Sequence, residues 1–175
     1  MRCLMQVFDS SGRPRLDGGS SFKDHIGWLP LLALSMSGGA PPGPGSLTAT
    51  NPKLKDINFM VRSDNRASVQ LQNALTNMAD WSKATLDFFR DGDDQAWYLR
   101  LTLQQPSVAS LQLSSLGSSG LSVFEGTLEF AQSSIDYRDP DAKVGYFMPD
   151  GAVWDPDQQV CRLYDPDDAV SHLPE

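Results

Sequence analysis

The residues that could do chemistry in this chain are few, and their spacing does not suit a reactive site. There are two histidines, His25 and His172, so a Ser-His-Asp relay or a His-rich metal centre has little material. Serines are abundant, but none lies in a GxSxG turn, and neither histidine has neighbours that mark a general base. Cys3 and Cys161 sit at opposite ends of the chain outside any CxxC or CxxH spacing, and they read as reduced structural thiols. The glycine-rich text from Gly38 to Gly45 lacks the spacing of a P-loop or a dinucleotide fingerprint, and its prolines remove N–H donors that a phosphate cradle needs. Three Asp-Pro-Asp triplets begin at Asp139, Asp155 and Asp165 and offer the oxygen ligands that calcium prefers. None follows the EF-hand pattern, so they read as solvated acidic turns. The expectation is a protein that is not an enzyme, with no catalytic residue, no cofactor and no metal.

Charge narrows the partners. Lys and Arg total 14 against 22 Asp and Glu, a formal net charge of -8. Such a surface repels phosphate backbones and anionic lipid heads, so neither nucleic acid nor a membrane is expected as a partner. Met1 to Asp9 lack a basic segment followed by a long apolar run, so no signal peptide is expected. The apolar stretch from Ile26 to Met36 is interrupted by Gly27, Pro30 and Ser35 and is too short to span a bilayer.

The elements read as mainly β. With 175 residues, 40% of them hydrophobic, the chain can bury one sizeable core. Leu4 to Phe8 predicts a first strand, followed by a surface loop over 9–21. Ile26 to Ser37 is apolar enough for a strand covered on both faces, with Pro30 marking an edge or a bulge. From Ser37 to Pro52, glycine and proline predict a long extended loop. Leu54 to Arg62 alternates as a strand. Leu71, Leu75 and Met78 then recur at helical spacing, with Ser68 as the expected N-cap. Lys83 to Arg90, Trp97 to Gln105 and Ser107 to Leu113 predict three more strands. Leu121 to Tyr137 changes parity, which predicts a bulge near Ala131 to Ser134.

Three stretches carry a family resemblance. Ile57-Asn58-Phe59-Met60-Val61, then Asn65-Arg66-Ala67-Ser68 and Leu71, resembles the strand, turn and helix start of the haemolysin-coregulated (Hcp) proteins of type VI secretion. Thr127-Leu128-Glu129-Phe130-Ala131 followed by Ile135-Asp136-Tyr137 is similar to the family's alternating last strand. Phe22 to Ile26, leading into Leu34 to Gly38, resembles a third segment. Asn65, Val69 and Phe22 depart from the family's usual Asp, Pro and His, with Val69 expected at the first helical position.

The resemblance implies a small β-barrel of two packed sheets with one short helix, over residues 1–137. It implies a structural subunit whose six copies form a ring, with rings stacked into a tube inside a contractile sheath. Its partners are then its own copies, a spike protein, the sheath and the effectors it carries. It is made in the cytoplasm and secreted without a signal peptide. The alternatives are a phage-like tail-tube protein and a monomeric β-sandwich binding module. Gly38, Gly39, Pro41, Pro42, Gly43, Pro44 and Gly45 are expected at a subunit contact. Residues 138–175 carry nine acidic and three basic side chains, so -6 of the net -8 lies in this extension. A hairpin turning at Pro149-Asp150-Gly151 is expected to dock it on the barrel.

Overall fold

The computed structural model describes residues 2–39, 53–77, 81–90, 97–116, 120–137, 150–155 and 160–163. The strands are β1 (Arg2–Phe8), β2 (Leu29–Gly39), β3 (Lys53–Arg62), β4 (Lys83–Phe89), β5 (Leu99–Gln104), β6 (Ser107–Leu116), β7 (Leu121–Glu129), β8 (Gln132–Tyr137), β9 (Asp150–Asp155) and β10 (Val160–Leu163). The helix α1 covers Arg66–Asn77. All pairings are antiparallel, in the order β10-β9-β8-β5-β4-β1-β2-β3-β7-β6.

This order forces the sheet to curl. Strands β7 and β8 are joined by Phe130 and Ala131 alone, yet they stand ninth and third in the sheet. Six strand spacings would separate them by about 29 Å if the sheet were flat. Three peptide steps reach only about 11 Å. The same holds for β5 and β6, joined by Gln105 and Pro106. Curling wraps one face around a core that includes Met5, Val7, Ile57, Phe59, Leu86, Leu101, Leu103 and Leu128. Each such side chain contributes about 1.5–3 kcal/mol on leaving water.

The mainly β architecture with one α-helix is as expected, and its strands belong to one curled sheet that is not closed. Hydrogen bonding runs through one continuous ten-stranded sheet whose terminal strands, β6 and β10, are not paired to each other. The parity change after Phe130 is a corner rather than a bulge, because β7 pairs with β3 and β6 while β8 pairs with β5 and β9. At that corner the Ala131 amide donates to the Gln104 carbonyl at 3.0 Å, and Gln105 takes a positive φ of 49°.

Other boundaries move for local reasons. Ser68 is not the cap of α1. Asn65 is, its side-chain oxygen accepting the Ser68 amide at 3.1 Å, while Ser68 is buried inside the first turn. Val69 is thus the fourth helical residue rather than the first, and it is 59% exposed. The buried face of the helix is Ala67, Leu71 and Ala74, with Leu75 exposed; Met78 lies outside the described residues. Pro30 is not on an edge, since it faces Leu4 of β1, and a register shift follows it between Leu31 and Ala33. Asp150 and Gly151 are strand residues of β9, so the hairpin is β9–β10, and β9 extends the sheet from β8.

Residues 9–28 are a strap, not a free loop. The Gln6 side chain holds it by accepting from the Leu16 amide at 3.0 Å and donating to the Leu16 carbonyl at 3.1 Å. Asp9 accepts from the amides of Ser11 and Arg13, each at 2.9 Å, and pairs with Arg15. These donors, the Arg13 amide first, hold its carboxyl below the usual carboxylate range. Gly18 is required where the strap meets β2, because a Cβ there would lie 2.2 Å from the Leu29 Cα. Phe22 and Trp28 pack on Leu4, Phe89 and Trp97, a second small core on the opposite face of the sheet.

Candidate assembly surface

Two places in the molecule have features that could serve function: a buried ion cluster and an unsupported arm. The cluster lies under the strap. Asp87 of β4 is fully buried and accepts from Arg100, its direct cross-strand neighbour on β5, through Nε–Oδ1 at 2.7 Å and Nη2–Oδ2 at 2.6 Å. His25 Nε2 lies 2.7 Å from the same Oδ2. The Arg100 guanidinium stacks 4.3 Å from the Trp97 ring, and the His25 ring meets Trp28 and Phe89 edge-on.

A His-Asp pair resembles part of a catalytic relay, and among the described residues this imidazole hydrogen-bonds to Asp87 alone. The other ring nitrogen of His25, Nδ1, is buried without a hydrogen-bond partner. Among the described residues, no hydroxyl or thiol is bonded to the imidazole. The arrangement pins the strap to the sheet with charge-assisted bonds. It arises from residues far apart in sequence, so no local spacing around His25 could announce it. The Cys3 thiol nearby is free and buried, and burial, then the Asp87 charge, pushes it up to about 12. That keeps it protonated and unreactive. Cys161 lies on β10, opposite Trp154 of β9. Among the described residues, no group of three or more His, Cys, Asp or Glu side chains could hold a metal ion, and no helix is long and apolar enough to cross a membrane. His172 and the triplets at Asp139 and Asp165 lie outside the described residues.

The arm is the far end of β2 and β3. Strand β1 pairs with β2 only from Leu29 to Leu31, so from Leu32 onward, among the described residues, β2 has β3 on one side and no strand on the other. Pairing of β3 with β7 begins at Ile57, so Gly38 and Gly39, facing Leu54 and Lys53, form a two-stranded tip. A two-stranded ribbon is marginal alone in water. The expectation that β2 is covered on both faces fails here, because Pro30, Leu32, Ala33, Ser35 and Met36 are exposed.

Of the expected contact residues, Gly38 and Gly39 are strand residues, so the glycine-rich loop starts later than the sequence suggested. Pro41, Pro42, Gly43, Pro44 and Gly45 lie outside the described residues. Sequence reasoning missed Leu32 and Met36, which looked like core. The open face beside the arm is polar: Ser110 donates to Thr127, and Thr127 to Asn58, each at 2.9 Å, across β6, β7 and β3.

A family model described as type VI secretion system effector, Hcp, matches residues 8–137. No curated protein matches the sequence. The fold is similar to that of a solved type six secretion system protein, with TM-score 0.74 and 17% identity, over 92% of this chain and 99% of that one. It is similar to Hcp1 from Salmonella typhimurium, with TM-score 0.68 and 16% identity, over 93% of this chain and 100% of that one. Hcp1 from E. coli gives TM-score 0.70 and 13% identity, over 88% and 99% of the two chains.

Proposed function

The chain belongs to the type VI secretion system effector Hcp family, and from that premise we propose that it is the ring-forming subunit of the secretion tube. Six copies close into a ring, rings stack into a tube, and the tube carries effectors in its lumen. A spike protein at the tip and a contractile sheath around the tube are its other partners. The protein acts by assembly and not by catalysis, beginning in the cytoplasm and ending outside the cell.

The observation that carries this reading is the unsupported arm. Among the described residues, β2 beyond Leu31 is paired on one side only and exposes Leu32 and Met36, an apolar edge that supports contact with another copy. Gly38 to Gly45 then sit at a subunit contact. The acidic extension, 138–175, which adds β9 and β10 to the sheet, tunes ring stacking through charge repulsion, which salt screens over roughly 8–10 Å.

Deletion of Gly38 to Gly45 tests the reading by negative-stain microscopy and solution mass. The expected result is a folded chain that no longer forms rings. Rings that persist and stack without the segment contradict its role. A folded full-length chain that never forms rings favours a monomeric binding module instead.

A further inference from the structure

We draw no further inference here: the strongest candidate, the side-chain cluster of His25, Asp87 and Arg100 buried under the strap, belongs to the site already described, where it pins the strap to the sheet, and the buried His25 Nδ1 has no hydrogen-bond partner that would identify a ligand.

Discussion

Strands β1 and β4 are covered on both faces, whereas β3 and β7 are covered on one. In β1 the run Cys3–Val7 is buried, and in β4 so is Ala84–Phe89. In β3 and β7 buried residues alternate with open ones. The difference comes from the strap at 9–28, which lies over the first pair only. Where both faces are covered, every polar side chain must find a protein partner, and Gln6 and Asp87 do. On the open strands water serves as well, and what lacks a partner is apolar. One region is finished within a single copy, and the other leaves a face open to water.

The largest effect should come from breaking the covered region. Asp87→Ala removes the shared acceptor of a buried cluster and leaves the Arg100 guanidinium uncompensated and His25 Nε2 without its partner, at a cost of about 3–5 kcal/mol in urea unfolding. Next, Leu71→Ala should cost about 2–5 kcal/mol, because that side chain is fully buried. Leu75→Ala on the same helix should cost less than about 1 kcal/mol, so the pair measures the contrast within one element. Equal losses would mean that the buried face of α1 is wrongly placed.

Alkali gives a smaller, conditional effect. The Cys3 thiol is raised from its ordinary 9.0 to about 12 in the folded chain, so above about pH 9 the unfolded chain loses a proton that the folded chain keeps. Stability should fall as pH rises from 9 toward 12 and be unaffected by this group below that. Cys3→Val should flatten the slope between pH 8 and 10, and an unchanged slope would show that other groups carry it. The smallest effect belongs to the open face, where Thr127→Ala breaks two exposed hydrogen bonds and should cost no more than about 0.5 kcal/mol.

How much was legible in the sequence follows the same division. Alternation in Leu99, Leu101 and Leu103 gave β5 its inward face, and Ile57, Phe59 and Val61 gave β3 its own, because an amphipathic strand writes its face in period two. The helix was legible in type but not in register, since Asn65 caps as well as serine does, and small Ala67 and Ala74 fill the buried face that Leu75 was expected to share. The ion cluster was illegible because it joins residues 62 and 13 positions apart through tertiary packing. The arm was misread because an apolar run such as Leu29–Met36 carries no mark of which of its residues the fold leaves exposed, and Leu32 and Met36 are exposed.

Sedimentation of the unaltered full-length chain tests the central claim most directly. A subunit that completes its open region with copies of itself should travel as a closed ring of six, about 115 kDa from chains of 19.2 kDa. A folded chain that sediments at 19.2 kDa across the micromolar range would contradict the account.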